Sequence, residues 1–136
     1  MKILKVLTPR RLIGNKGERA ASAYLKKSGY KILEKNYVAL DTEIDIIAQN
    51  CDYLVFVEVK TRTEKDGEEI LRPALAVTPE KQRKILNCAK FYSRFAGCDK
   101  MLRFDIIEVF MRNGKINNIN HMEGAFNGDS AKVKRK

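Results

Sequence analysis

The chain has 136 residues, the length of one ordinary domain, and 44% of them are hydrophobic, which allows a core and excludes a wholly disordered protein. Its net charge of +10 favours a polyanionic partner such as nucleic acid. No apolar run reaches the roughly 18 residues needed to span a bilayer, and the three cysteines include no CxxC pair, so we expect a cytoplasmic protein without disulfides.

The first half of the chain predicts one helix followed by three strands. Residues 15–28 carry apolar side chains at helical spacing, and they follow a basic extension at 1–13. Residues 30–38 and 43–48 resemble half-buried strands, whereas residues 53–60 (YLVFVEVK) are apolar on both faces until their end. The turn-forming residues QNCD separate the last two strands.

The second half of the chain predicts a loop, a helix and a final hairpin. Residues 61–77 are expected to begin as a mobile polar loop. Thr78 followed by Pro79 marks the start of a helix that reaches about residue 95. The elements that follow are a strand at 101–111, an Asn-Gly turn at 113–114 and a short strand near 116–120.

The order of these elements, α-β-β-β-α-β-β, predicts an α/β protein with helices packed around a central mixed β-sheet. We find no internal repeat and no second domain, so residues 1–123 are expected to form a single domain. Residues 124–136 are expected to be a disordered basic tail.

Charge is distributed unevenly along the sequence. Positions 1–35 contain ten basic and two acidic residues, which favours a phosphate-binding surface. Positions 36–60 instead contain five acidic residues and one lysine. Carboxylates within a basic protein would repel a phosphate backbone unless a cation lies between them, so this acidic segment indicates a metal site.

Three charged residues form the candidate metal site. Glu58 and Lys60 are two residues apart on a strand, so their side chains leave the same face. If the turn spans residues 50–53, Asp45 lies opposite Glu58, with Cβ atoms about 4.5–5.5 Å apart. Two carboxylates this close favour a hard divalent ion, Mg²⁺ or alternatively Mn²⁺, and Lys60 would orient or polarise the attacking water.

Other residues are candidates for roles around this site. Glu18, beside the apolar stripe of the first helix, could reach the metal through water. On the strand of Asp45, the residues Ile44, Ile46 and Ala48 are expected to share the opposite face. The candidates for contact with nucleic-acid phosphates are Lys16, Arg19, Arg62, Lys81 and Gln82.

Structural interpretations compete with the functional ones. Asp45, Glu58 and Lys60 could form the salt-bridged end of a hairpin, and Glu18 could simply complement the helix dipole. Asp105 lies two residues from Arg103 on a predicted strand, and we expect these two to form a structural ion pair.

Several segments resemble the YraN family of bacterial proteins, over about residues 14–110. The matching segments are Gly17-Glu18, Tyr24-Leu25, Gly29-Tyr30, Asn36, EIDIIA at 43–48, VEVKTR at 57–62, Lys81 and RFD at 103–105. That family is assigned by similarity to the PD-(D/E)xK nuclease superfamily, near the archaeal-type Holliday-junction resolvases.

The resemblance implies a restriction-endonuclease-like αβββαβ core and a Mg²⁺-dependent phosphodiesterase site. The residues it assigns to that site are Asp45, Glu58 and Lys60, with Glu18 as the acid on the helix. It further implies a DNA substrate, branched or otherwise structured. Junction resolvases usually act as dimers because two symmetric cuts need two sites, so a homodimer is the corresponding expectation.

The predicted function is therefore a metal-dependent endonuclease of DNA repair or recombination. The alternative is a nuclease fold that binds nucleic acid or recruits a partner without cutting, for which the basic surface would suffice. The sequence does not distinguish DNA from RNA, because no single-strand platform or groove-reading helix is recognisable. A peripheral membrane protein is disfavoured, because the first helix lacks a large aromatic apolar face opposite its cations.

Overall fold

The computed structural model describes residues 9–64 and 77–126, with side chains described from residue 15 onward within these ranges. The helices and strands follow the predicted order. They are α1 (Pro9–Lys27), β1 (Lys31–Ala39), β2 (Thr42–Gln49), β3 (Tyr53–Thr63), α2 (Pro79–Ala96), β4 (Met101–Arg112) and β5 (Lys115–Phe126).

The five strands form one mixed sheet in the order β1-β2-β3-β4-β5. β3 and β4 are parallel, from Tyr53↔Met101 to Thr63↔Met111, and every other neighbouring pair is antiparallel. α2 lies in the connection between the parallel strands, where a helix is the usual crossover. This architecture confirms the predicted α/β fold and is consistent with the restriction-endonuclease-like core.

Each face of the sheet packs against one helix. On one face, Leu25 of α1 belongs to the same core cluster as Val55 and Val57. On the other face, Ile85 of α2 belongs to the same cluster as Phe56. β3 is therefore buried on both faces, which explains why its sequence is apolar without alternation.

Local sequence signals define both ends of α2. The side chain of Thr78 accepts a hydrogen bond of 3.1 Å from the main-chain N–H of Lys81, and Pro79 occupies the first helical position. The helix ends at Gly97, which adopts the left-handed conformation with φ 67°. The predicted cap is thereby confirmed, and the first turn of α2 lies beside Glu58 of β3, which Lys81 contacts.

The structure corrects several predicted boundaries. α1 begins at Pro9, so residues 9–13 of the predicted extension are helical. β3 continues through Thr63, three residues beyond its predicted end at residue 60, so the start of the predicted loop is part of the strand. Residues 1–8, 65–76 and 127–136 lie outside the described part of the chain, and so do most of the predicted loop and tail.

The final strand is much longer than predicted. The Asn113-Gly114 turn is confirmed, with φ values of 54° and 75°. β5 then pairs with β4 as far as Phe104↔Phe126, so the predicted strand near 116–120 is present but continues to Phe126, and residues 124–126 belong to it and not to a tail. The physical reason is that main-chain pairing with β4 supports a strand whose side-chain pattern is largely polar.

Candidate active site

β2 and β3 separate at Asp45, and this separation is the centre of the candidate site. The paired register of the two strands ends at Ile46↔Val57. One position further, the Asp45 carboxylate accepts a 2.8 Å hydrogen bond from the main-chain N–H of Val59. The same register, continued by one residue, places Asp45 opposite Glu58, as the predicted turn requires.

The separation of the strands also overturns one predicted alternation. Ile46 and Ala48 pack on the α1 side of the sheet, but Ile44 packs with Ile47 on the α2 side. The strict period of two breaks at Asp45, because its side chain takes a partner from β3 at the position where the ladder of main-chain hydrogen bonds ends.

The electrostatic environment of Asp45 is unusual for an aspartate. Burial raises the pKa of Asp45 from its ordinary 3.8 to about 7, and the negative charge of Glu58 contributes to the increase. The hydrogen bond from Val59 lowers the pKa, whereas Glu18 and Glu43 raise it further by smaller amounts. The carboxyl group therefore gains or loses its proton near neutral pH, a behaviour enriched at functional sites.

Glu58 lies between two lysines. Its Oε2 atom is 2.9 Å from the Nζ of Lys81 and 3.4 Å from the Nζ of Lys60. The side chain of Glu58 is only 13% exposed, so solvent screens these pairs less than it would on an open surface. The site thus places two ammonium groups within 3.4 Å of one carboxylate oxygen of Glu58, whose charge also acts on Asp45.

Glu18 approaches the same region through β1. With its amide oriented to donate, Asn36 Nδ2 is 3.2 Å from an oxygen of Glu18 and 3.1 Å from an oxygen of Glu43. The charge of Glu18 also acts on Asp45. The structure therefore brings the four predicted catalytic residues into one neighbourhood, with Asn36 linking the acid of α1 to β2.

The site opens into a hollow of about 620 Å³ between the start of β2 and the first turn of α2. Thr42, Glu43 and Asp45 line it from β2, and Glu58 lines it from β3. α2 contributes Lys81 and the other side chains of its first turn. Because the hollow is open to solvent, Asp45 and Glu58 can be reached from outside the protein.

The predicted phosphate-binding residues have different positions. Lys81 is part of the site, whereas the Gln82 amide donates 3.0 Å to the Val77 carbonyl oxygen. Lys16 donates 2.5 Å to the Gly114 carbonyl oxygen in the β4–β5 turn. Arg19 is exposed on α1. Arg62 follows Lys60 by two residues on β3, and its Nε is buried without a hydrogen-bond partner in the described part of the chain.

Sequence reasoning missed two residues close to this constellation. Glu108 pairs with Lys60 across the β3–β4 ladder, is 0% exposed and accepts a 2.5 Å hydrogen bond from Asn120. Its sequence signal is a single acid within the apolar run IIEVF at 106–110. Asn36 adopts a positive φ of 53° inside β1; it is among the residues of the family resemblance, but the sequence indicated no role for it at the site.

A second polar cluster lies on the α1 side of the sheet and is structural, as predicted for Asp105. Arg103 binds the fully buried Asp105 through two hydrogen bonds of 2.9 and 2.8 Å, and His121 and the Gly124 N–H bind it at 2.7 and 3.0 Å. Burial alone would raise the pKa of Asp105, but these hydrogen bonds outweigh it and hold the pKa below its ordinary value. His121 also bonds to Tyr24 at 3.0 Å.

The two carboxylates at the site suit a magnesium ion better than a metal ion that is coordinated only by protein side chains. Within residues 9–64 and 77–126, no group of three His, Cys, Asp or Glu side chains is arranged to hold a metal ion. Mg²⁺ typically takes one or two carboxylates and keeps its other positions for water and substrate phosphate. Asp45 and Glu58 supply that number of carboxylates, and their mutual repulsion would be relieved by a cation.

The fold and the site define an α/β protein consistent with the restriction-endonuclease-like core, with its charged constellation where two central strands diverge. Residues 17–109 match the family described as "Uncharacterised protein family UPF0102", the YraN family. The chain belongs to this family, and the resemblance inferred from the EIDIIA and VEVKTR segments is confirmed.

Full-length relatives support the same assignment. The UPF0102 protein of Caldanaerobacter subterraneus is 42% identical over 86% of this chain and 96% of its own length. The UPF0102 protein of Desulfosudis oleivorans is 40% identical over 93% of this chain and 98% of its own length. The UPF0102 protein of Chlorobium phaeobacteroides is 37% identical over 87% of this chain and 95% of its own length.

One solved structure is weakly similar to this chain. The crystal structure of SSO0001 is 12% identical, covers 91% of this chain and 56% of its own, and gives a TM-score of 0.34, which supports no inference. In the described ranges, neither helix has the length and apolar character needed to cross a membrane.

Proposed function

We propose that this protein is a Mg²⁺-dependent endonuclease that hydrolyses phosphodiester bonds of DNA, with branched or structured DNA as the favoured substrate and a role in repair or recombination. The observation that carries the proposal is the proximity of the Asp45 and Glu58 carboxylates where the paired register of β2 and β3 ends, with two lysines on one oxygen of Glu58. A basic chain gains nothing for phosphate binding from carboxylates in this position unless they hold a cation.

Asp45 and Glu58 would hold the metal ion, with Mn²⁺ as a substitute for Mg²⁺, and Glu18 would contribute from α1. When bound, a divalent ion supplies Lewis-acid polarisation of phosphate oxygen and a water of lowered pKa. Asp45 must be ionised to act as a ligand, so its pKa of about 7 makes the site competent from neutral pH upward.

The two lysines have distinct tasks in this mechanism. Lys60 follows the buried segment Leu54–Val57 of β3, and its ammonium lies 3.4 Å from Glu58. From there it can hydrogen-bond the attacking water or offset negative charge as it develops on the phosphate. Lys81 extends from the first turn of α2, where the helix dipole also favours an anionic group, so it suits a phosphate neighbouring the cleaved one.

The surrounding surface would supply sequence-independent affinity. Arg19 of α1 is exposed, Lys16 contacts the β4–β5 turn, and Arg62 follows the site on β3. Ion pairs with phosphates release counterions, so affinity should fall steeply as salt is raised. Two symmetric cuts across a branched substrate would need two copies of the site, which is the reason to expect a homodimer.

The test is cleavage of labelled duplex, single-stranded, flap and four-way-junction DNA, with RNA counterparts, in Mg²⁺ or Mn²⁺. Wild type, Glu58→Ala and Asp45→Ala are compared with Asp52→Ala, which removes an exposed acid from the β2–β3 turn at the other end of the strands. We expect metal-dependent cutting by wild type and Asp52→Ala and a loss of at least about a hundredfold in the two site variants. Equal rates in all four proteins would overturn the proposal.

A second candidate function is a nucleic-acid-binding or partner-recruiting module that does not cut. The observation that favours it is that Lys60 and Lys81 already neutralise Glu58 without a metal ion. This candidate predicts that wild type and Glu58→Ala bind DNA with the same salt dependence and that neither cuts. An effect of Mg²⁺ on affinity that disappears in Glu58→Ala would exclude it.

A further inference from the structure

The turn at the tip of the β1–β2 hairpin contains two residues in an unfavourable backbone conformation. Ala39 pairs with Thr42, and the two residues between them, Leu40 and Asp41, have φ values of 54° and 60°. Such two-residue turns strongly prefer Asn and Gly, because these residues tolerate positive φ. A leucine is strained in the left-handed region because its β-carbon lies too close to the following carbonyl oxygen, so asparagine at position 40 would make this turn more stable.

The same leucine is also poorly placed for packing. Leu40 is 57% exposed and Val38, two residues earlier on β1, is 66% exposed. Strain and solvent-exposed apolar surface therefore coincide at one tip. Strained backbone of this kind clusters at functional positions, so an observed outlier is grounds for a functional hypothesis.

The position of the tip identifies what it could contact. Asp41, Thr42 and Glu43 of the same hairpin line the hollow that contains Asp45 and Glu58. The segment Val38–Asp41 carries no cation, so it offers nothing to a phosphate. Its apolar side chains suit the faces of bases instead, and leucine is among the side chains that proteins insert between base steps.

We infer that the β1–β2 tip is an apolar wedge, with Leu40 as its point and Val38 at its side, which contacts unstacked bases of the nucleic acid next to the phosphate held at the site. This inference rests on the proposed function and deepens it, since it gives a physical reason for a preference for branched substrates. At a branch point the bases are already partly unstacked, so inserting a side chain costs less there than in continuous duplex.

The test measures base unstacking without cleavage. Wild-type protein is added, in EDTA, to a fork and to a duplex that carry a fluorescent base analogue whose emission rises on unstacking. The variants are Leu40→Asn, which removes the apolar side chain but tolerates the left-handed backbone, and Leu40→Met, which keeps an apolar side chain. Phe95→Ala is the control, because Phe95 is 81% exposed on α2.

Wild type, Leu40→Met and Phe95→Ala should raise the emission at the branch point and prefer fork over duplex. Leu40→Asn should lose most of the emission change and about fivefold of the preference, the lower end of what one base contact contributes. Its unfolding temperature should rise by about 4 °C or more, because the strain is removed. If Leu40→Asn is folded, is more stable than wild type and still loses the emission change, Leu40 acts on the nucleic acid and not on the stability of the protein.

Other outcomes overturn the inference and leave the nuclease proposal to its own test. Equal emission and preference in wild type and Leu40→Asn would show that the tip does not contact bases. A change from dimer to monomer in Leu40→Asn, measured by sedimentation without DNA, would assign the tip to self-association instead. If the emission signals appear as expected and no protein cuts DNA in Mg²⁺, the wedge stands and the nuclease proposal fails.

Discussion

Gly17 of α1 lies directly against Thr61 of β3. A β-carbon at position 17 would overlap the Thr61 hydroxyl oxygen and lie 3.2 Å from Thr61 Cβ. Glycine is normally unfavourable inside a helix, but here it allows the helix to approach the strand that carries Glu58 and Lys60. The neighbouring residue is Glu18, so this close approach also determines how near that acid comes to Asp45.

Replacing Gly17 by alanine should therefore destabilise the protein, although alanine is the better helix former. We expect Gly17→Ala to lower the free energy of unfolding by about 1–3 kcal/mol in urea denaturation, because the new methyl group displaces α1 from β3. Adding Thr61→Ala should restore much of the loss, since it removes the overlapping hydroxyl.

The control for this prediction is the reverse exchange at an exposed position of the same helix. Ala23 is exposed on α1, so Ala23→Gly changes helix propensity without altering a contact between α1 and β3. It should cost about 1 kcal/mol, the ordinary advantage of alanine over glycine in a helix. If Gly17→Ala instead gained stability of similar size, propensity alone would govern both sites and the close approach to Thr61 would have no energetic effect.

Asp45→Asn should stabilise the protein in a pH-dependent way. The pKa of Asp45 is about 7 in the folded state and near 3.8 when unfolded, so the folded protein binds the proton more tightly. Stability contributed by that proton is present below pH 4 and is lost as pH rises toward 7. We expect the asparagine variant to be more stable by up to about 4 kcal/mol at pH 8 and nearly equal to wild type at pH 4. A constant difference across this range, measured by urea denaturation, would refute the assignment.

Binding of a divalent ion should release a proton. Below pH 7 most Asp45 is protonated, and the proton must leave before the carboxylate can act as a ligand. Calorimetric titration of Mn²⁺ in buffers of different ionisation enthalpy should detect about one proton released per ion at pH 6 and little at pH 8. Affinity should rise about tenfold between pH 5.5 and 6.5. Glu58→Ala should abolish binding, and pH-independent affinity would exclude Asp45 as a ligand.

Substitution of Asp105 should destabilise the protein, whereas substitution of Asp45 should stabilise it. The Asp105 carboxylate is fully buried and accepts hydrogen bonds from Arg103, His121 and Gly124, so Asp105→Ala removes the buried partner of Arg103 and leaves it the largely exposed Glu123, 3.6 Å away. We expect a loss of about 3–5 kcal/mol in the free energy of unfolding at pH 7. The loss should shrink as pH falls through the lowered pKa of Asp105, because the proton then cancels the native advantage. Asp99→Ala, an exposed acid, should change stability by less than about 0.5 kcal/mol.

The sequence predicted the local part of the site well. The period of two along VEVK placed Glu58 and Lys60 on one face, and the turn QNCD fixed the register that brings Asp45 opposite Glu58. The contact between Lys81 and Glu58 was not predictable in the same way. It depends on how α2 packs across the sheet, and residues 23 positions apart meet only through tertiary structure.

The features that the sequence did not predict also depend on tertiary structure. β5 is an edge strand whose main chain pairs with β4, so its side chains carry little alternating pattern and the sequence underestimates its length. The break of alternation at Ile44 arises where two strands diverge, an event that side-chain periodicity does not encode. Glu108 was not predicted to be near the site, because the sequence does not show that this acid in an apolar strand has Asn120 as its hydrogen-bond partner.

The parallel pairing of β3 and β4 has a consequence for the order in which the molecule forms. The pair Tyr53↔Met101 joins residues 48 positions apart, whereas β1, β2 and β3 are joined by short turns. Closing a longer segment costs more chain entropy, and local contacts form faster, so we expect the three-stranded meander to assemble first. Asp45 and Glu58 would then come together before the packing of α2 brings Lys81 to Glu58. During that interval Lys60 of β3 is the lysine beside the two carboxylates, and Lys81 has yet to arrive, so the last docking step of folding should be sensitive to the cation concentration of the surroundings.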